Sequence, residues 1–175
     1  MKRYIAIILL IFLILSMIFP GCHLGNDMKE PVTFYYKRAK FVYGTEDAVI
    51  ASEQREASGH REDLHYLLSL YLQGPINEEL THSFPDKCQV VDISRKDKTL
   101  AITLNAPFAQ LKNMDLTIAA ACLAKTCMNL ADVESVVIGC VAPDDTELLK
   151  MKIGKEDLLL YDNTAPIPLE TEAKE

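Results

Sequence analysis

The chain carries four histidines, five cysteines and adjacent pairs of carboxylates, the side chains from which metal sites, thiol nucleophiles and acid–base pairs are built. Of His23, His60, His65 and His82, only His60 and His65 are close in sequence. Five residues of helix turn through about 140°, so the two do not share a face as a zinc-binding pair does. Each histidine reads as exposed or partly packed. Cys88, Cys122, Cys127 and Cys140 lack metal-ligand spacing, and Cys122 and Cys127 point apart on one helix. They read as small apolar core residues, and a disulfide such as Cys88–Cys140 stays open for an exported chain. Asp144-Asp145 and Glu78-Glu79 are neighbours whose side chains face opposite ways in extended chain, a poor clamp for a glycosidic bond. The charge run Glu53 to Asp63 reads as wet surface. No H-E-x-x-H, G-x-S-x-G or phosphate-loop motif occurs. The expectation is a protein with no catalytic residue, no metal and no cofactor. The aromatic group Phe34, Tyr35, Tyr36, Phe41 and Tyr43 can stack on a sugar or a partner. Alternation assigns Phe34 and Tyr36 to the core and leaves Tyr35 and Tyr43 as exposed contacts.

Where such a chain lives is written at its start. Met1-Lys2-Arg3 is basic, Ile5 to Phe19 is apolar except for Ser16, and Pro20-Gly21-Cys22 follows. That order is the order of a secretory signal peptide. A helix of about 15 residues rises roughly 22 Å, less than the ~30 Å hydrocarbon core. With Tyr4 and Pro20 it spans a thinned bilayer, so an uncleaved anchor stays open. Phe19-Pro20-Gly21-Cys22 resembles a bacterial lipobox, with Gly21 and Cys22 on the pattern and Phe19 and Pro20 off it. The resemblance implies modification of the Cys22 thiol with diacylglycerol carrying palmitate-like chains, cleavage that leaves Cys22 as residue one, and residence on the outer face of the cytoplasmic membrane. Residues 22–31 read as a polar tether. At 175 residues the remainder makes one domain. Its net charge is -7, and -9 without Lys2 and Arg3, which argues against a nucleic-acid or polybasic lipid-binding surface.

The elements that would hold any surface residue follow from periodicity. Val32, Phe34 and Tyr36 alternate with polar residues in a strand over Val32 to Phe41, and a second extended piece covers Asp47 to Ser52. Glu53 to Gly59 reads as a loop with Ser58 as helix cap. Leu64, Leu67, Leu68, Tyr71 and Leu72 form one helical face that ends at Gly74-Pro75. Gln89–Ser94 and Leu100–Leu104 make a hairpin around a charged turn. Asp115 caps a helix over Leu116 to Leu130 whose stripe is Ala119, Cys122, Leu123, Thr126, Cys127 and Leu130. Val136 to Val141 is a central strand, and Leu148–Ile153 pairs with Leu158–Tyr161 in a last hairpin. The sum is an α/β (α+β) fold, a small mixed β-sheet with two helices packed on one face.

Leu67 to Pro75 resembles the "LL-x-GP" close of the first helix in the GerMN domain family. Leu80, Ser83, Phe84 and Pro85 match its following loop, and Leu100 to Leu104 with Phe108 match its next strand. Cys122 to Leu130, with Thr126, resembles its second helix, and Val133 to Gly139 its closing strand. Cys88, Ala106-Pro107 and Cys140 depart from the pattern. The likeness runs over 32–143, between a leader at 1–21 with its tether and a β extension at 144–162, then a tail at 163–175. It marks Leu68, Gly74, Pro75, Phe84, Pro85, Thr126 and Gly139 as structural positions. It implies a ring-building-motif-like domain, non-enzymatic, on a membrane-anchored extracytoplasmic lipoprotein. The expected role is assembly of a cell-envelope, sporulation or germination complex, through other proteins or self-association. A peptidoglycan- or glycan-binding module is the alternative, and a cell-wall hydrolase a more distant one. Leu68→Asp sets an unpaired charge on the buried stripe. Thermal unfolding should show a midpoint lower by more than about 10 °C; an unchanged midpoint means that the other helix face is buried.

Overall fold

The computed structural model describes residues 30–41 and 49–158. Cys22, Tyr43, the leader, the tether short of Glu30 and the tail lie outside them. Strand β1 (Pro31–Arg38) buries Val32, Phe34 and Tyr36 on alternate positions. It pairs antiparallel with β2 (Ile50–Glu56) and, through Lys37 and Arg38 alone, with β3 (Leu80–Thr81). Strands β4 (Val90–Lys96) and β5 (Thr99–Asn105) form the expected hairpin, its turn eased by Asp97 at φ 54°. β5 runs parallel to β6 (Ser135–Val141), and β7 (Glu147–Gly154) closes the order β4-β5-β6-β7 antiparallel to β6. The fold is α+β, with two sheets where periodicity alone suggested one.

Helix α1 (Leu64–Tyr71) buries Leu67, Leu68 and Tyr71. Its cap is Asp63, whose carboxylate accepts the Tyr66 N–H at 3.0 Å, and not Ser58, which sits at φ 50° in the preceding turn. A 3₁₀ helix (Ala106–Gln110) leads into α2 (Asn113–Ala131). Asp115 therefore lies inside the first turn and caps nothing; Lys112 is the N-cap. α2 packs on β1 of one sheet and β6 of the other. Two facing walls bury far more than one stripe, so residues 118–124 are buried without a break and only Leu130 of the expected stripe is partly exposed. Ala119, Ala120, Ala121 and Ala124 keep the helix thin enough to be enclosed. The described chain ends in one helical turn, α3 (Lys155–Leu158), so Leu158 pairs with no strand and β7 takes β6 as its partner. Residues 159–161 of the expected hairpin lie outside the described residues.

β1 has a partner problem that the helices solve. In an antiparallel ladder alternate residues turn their N–H and C=O away from the neighbour. At Tyr35 they turn away from β2, where β3 is too short to reach. The Tyr35 N–H donates to Thr126 Oγ1 of α2 at 2.9 Å. The Tyr71 hydroxyl of α1 donates to the Tyr35 carbonyl at 3.1 Å. The Tyr36 hydroxyl donates to the Tyr71 carbonyl at 3.0 Å, with the two rings stacked at 4.8 Å. Burial pushes both phenols well above their ordinary pKa, so both remain donors.

The end of α1 is fixed from β2. Gly74 sits at φ 95°, and a Cβ there would lie 3.3 Å from the His82 ring. Arg55 Nη1 donates to the Gly74 carbonyl and to Glu53 Oε1, each at 3.1 Å. Glu53 Oε2 accepts the N–H groups of Ile76 at 2.9 Å and Asn77 at 2.7 Å. β2 thus runs to Glu56, beyond the expected Ser52, and the Glu53 and Arg55 side chains are 8% and 12% exposed rather than wet surface. The turn covers that face of the strand.

Two variants separate these constraints. Thr126→Val leaves the Tyr35 N–H orphaned and should cost about 1–3 kcal/mol by denaturant titration, with Thr126→Ser recovering most of it. Equal losses in both would show that the methyl group and not the hydroxyl matters. Gly74→Ala must hold a positive φ against the His82 ring and should cost about 1–2 kcal/mol; a neutral result would mean that the turn relaxes.

Candidate functional site

The aromatic core supports one end of the molecule. Phe34, Tyr36 and Tyr71 meet at centroid distances of 4.8–6.4 Å. Tyr71 meets Phe84 edge-on at 5.6 Å, and Phe84 stacks on Phe108 at 5.9 Å. Leu68, Gly74, Phe84 and Thr126 converge around this cluster, although they lie far apart in sequence, and are buried. Pro75 and Pro85 flank it, half-buried. Gly139 stands apart on β6, where a Cβ would meet only ordinary contacts at 3.8 Å from Ile102 and Thr103.

Phe84 and Pro85 form part of a cleft of about 260 Å³ between the end of β1, the segment after β3 and the start of α2. Inward packing of Tyr36 turns Lys37 to the other side of β1, into this cleft. Its ammonium lies 3.7 Å from Asp115 Oδ1 and 5.7 Å from the centre of the Phe41 ring. His82 enters from the opposite wall, held over Gly74 by the close approach described above. Burial pushes its pKa down, against weaker upward pulls from a hydrogen bond to the Leu72 backbone and the charge of Asp86. The imidazole is neutral at pH 7. Its Nε2 and the adjacent Ser83 Oγ are enclosed and have no hydrogen-bond partner. Ser83 is not hydrogen-bonded to His82 as an activated nucleophile would be. The arrangement offers donors, acceptors and an apolar wall: the chemistry of binding.

Other residues singled out by type are placed elsewhere. Tyr35 is half-buried, with the Lys125 ammonium 5.0 Å from its ring centre, and does not form an open stacking platform. His60 stacks on Tyr66 at 4.2 Å, and His65 is exposed on α1. The four cysteines are free and buried. Burial pushes Cys88 and Cys122 up to about 12 and raises Cys127 and Cys140 as well, so all four are thiols and not thiolates at neutral pH. Cys140 Sγ donates to the Asn105 carbonyl at 3.1 Å. β5 lies between β6 and the chain leading from Cys88 into β4, and two strand spacings of ~4.8 Å exceed disulfide reach. Asp144 lies in a solvent turn, where the Thr146 side chain first, and then the Thr146 N–H that it accepts, lower its pKa. Among the described residues no group of three or more His, Cys, Asp or Glu could hold a metal, and no helix is long and apolar enough to cross a membrane.

Lys37 and Asp115 escaped sequence reasoning because they are 78 positions apart by number and neither belongs to a motif. His82 carried one signal, its place after Gly74-Pro75 and before Phe84-Pro85.

No family model matches the chain, and no curated protein matches it. Two solved structures are similar in fold. One is the tandem GerMN domains of the sporulation protein GerM from Bacillus subtilis, at 18% identity and a TM-score of 0.46, over 71% of this chain and 45% of that one. The chain thus spans less than half of that structure. The other is a candidate lipoprotein from Clostridium perfringens, at 18% identity and a TM-score of 0.42, over 77% of this chain and 93% of that one. At such identity a shared chain trace says nothing of activity or partner.

Proposed function

We propose that this chain is a lipid-anchored, non-enzymatic interaction domain on the outer face of the bacterial cytoplasmic membrane. Its role is in assembly of a cell-envelope, sporulation or germination complex. The observation that carries the reading is the leader itself: Met1-Lys2-Arg3, the apolar run Ile5 to Phe19, then Gly21-Cys22. It directs export, and acylation of Cys22 supplies retention, since each buried CH₂ contributes roughly 0.8 kcal/mol and two or more chains anchor firmly. In the domain behind it, the buried polar side chains of Glu53, Arg55 and Thr126 serve the fold. The domain also has sheet edges with which to meet other proteins. β4 exposes Val91 and β7 exposes Leu148, apolar groups on outermost strands. Lys150 and Lys152 on β7, with Arg95 and Lys96 on β4, are exposed and guard the same edges against indiscriminate pairing. Such an edge suits a specific partner with acidic flanks.

The test is made in cells with the full chain. Labelled palmitate should enter the wild-type protein, and Cys22→Ala should abolish both label and membrane retention. Crosslinking in intact cells should trap the wild type with a discrete partner or with itself. An unlabelled protein recovered from the cytosol would overturn the anchor. A membrane-bound chain that stays uncrosslinked and monomeric would overturn the assembly role.

A further inference from the structure

The cleft beside Lys37 holds more complementary chemistry than the proposed role requires. The His82 ring has its Nε2 enclosed and unbonded by the fold. A neutral imidazole that donates through Nδ1 carries a lone pair on Nε2. In the tautomer with its proton on Nδ1, His82 offers an acceptor across the cleft from the Asp115 carboxylate. Lys37 and the Ser83 hydroxyl supply donors, and the Thr81 hydroxyl stands beside them. The two full charges are of opposite sign. An isolated anion entering here would face Asp115, and an isolated cation would face Lys37. A molecule with both charges close together satisfies both. The Lys37–Asp115 separation of 3.7 Å is longer than the 2.7–2.9 Å of a good charged hydrogen bond. With Asp115 72% exposed, that pair is loose and easily exchanged for a ligand's own charges.

The rest of the cleft fixes the remainder of such a molecule. Phe84 and Ile118 are buried behind the polar rim, with Leu111 partly so. They form an apolar wall, and about 260 Å³ is room for one amino acid rather than a drug-sized ligand. Buried polar atoms in folded proteins are nearly always bonded; Ser83 Oγ and His82 Nε2 are orphaned and closed to solvent, so both side chains must turn toward the cleft to take a partner. We propose that this cleft binds a free α-amino acid with a medium-sized apolar side chain. Its carboxylate is held by Lys37 and Ser83, its ammonium by Asp115 and His82 Nε2, and its side chain by Phe84, Leu111 and Ile118.

The test uses the full chain in detergent and isothermal titration calorimetry with leucine of either hand. N-acetyl-leucine, which lacks the ammonium, leucinamide, which lacks the carboxylate, and glycine, which lacks the side chain, are the comparison compounds. Leucine should bind one to one, and each comparison compound should bind at least about tenfold more weakly. Lys37→Met and Asp115→Asn should each weaken leucine by a similar factor without moving the thermal midpoint, whereas Lys150→Met on β7 should leave it unchanged. Absence of heat at about 10 mM leucine would overturn the proposal. So would comparison compounds that bind as tightly as leucine, or variants of Lys37 and Asp115 that fold normally and bind undiminished. Calorimetry reads the cleft alone, so its failure leaves the anchor and the assembly role untouched.

Discussion

The fold rests on an unpaired stretch of strand edge. At Tyr35 the backbone of β1 presents an N–H and a C=O to the protein interior with no strand there to receive them. An orphaned buried backbone group costs about 1–3 kcal/mol, and two in one residue would strain a domain whose whole stability is about 5–15 kcal/mol. Thr126 and Tyr71 stand in for the missing strand, one from each of the two longer helices. The consequence is positional. To place these two side chains on one residue, α2 must lie along β1 and α1 must approach from the other end. Tyr36 then fastens α1 by its own backbone at Tyr71. The strand and both helices are located relative to one another by bonds that tolerate little sliding.

That arrangement explains which parts of the molecule the sequence discloses. Alternation in Val32, Phe34 and Tyr36 and the 3.6-residue spacing of Leu64 to Leu72 are local, and both elements form there, although the strand ends at Arg38 and not at the expected Phe41. The unbroken apolar run Val136 to Val141 correctly reads as a central strand, since β6 has neighbours on both sides. Periodicity reports that a face is buried and is silent on what buries it. Thr126 lies on a recognisable stripe, yet its partner Tyr35 is 91 positions away. The second sheet is invisible for the same reason. A helix enclosed by two walls and a helix on one wall differ only in how far burial spreads around them, and the alanines at 119–121 and 124 fit either case.

Charge misleads in a different way. Glu53 and Arg55 have the composition of a loop, and a lone buried charge would indeed be costly. They are tolerated beneath the Gly74-Pro75 turn because each satisfies the other and the remaining lone pairs and protons meet backbone groups of the turn. The capacity of Glu53 to accept three hydrogen bonds at once is a property of a carboxylate in a particular geometry, which no composition window records. The same turn demands glycine at position 74 for its positive φ, and the His82 ring lies so close that a Cβ there would be 3.3 Å from it. A residue that reads as a helix stop is thus also the seat of a side chain in the cleft.

Hydrogen-bond satisfaction then separates structural from available groups. Wherever a described polar side chain is buried deep in the core, as at Tyr36, Tyr71 and Thr126, its bonds are made within the fold. The exceptions among the described residues are Arg38 Nε, His82 Nε2 and Ser83 Oγ. All three lie on or next to the short pairing of β1 with β3, at Lys37–Thr81 and Arg38–Leu80. A fold that was merely loose would scatter its unmet groups. Here they gather where the strand pairing is shortest, beside a cleft, with a cation and a carboxylate at its rim. The two-residue β3 permits this. A longer strand would continue the ladder past Thr81 and consume the segment that delivers His82 and Ser83. The brevity that leaves Tyr35 in need of Thr126 and Tyr71 is therefore the same feature that opens the cleft at the other end of the edge, so that the structural solution and the binding surface share one cause.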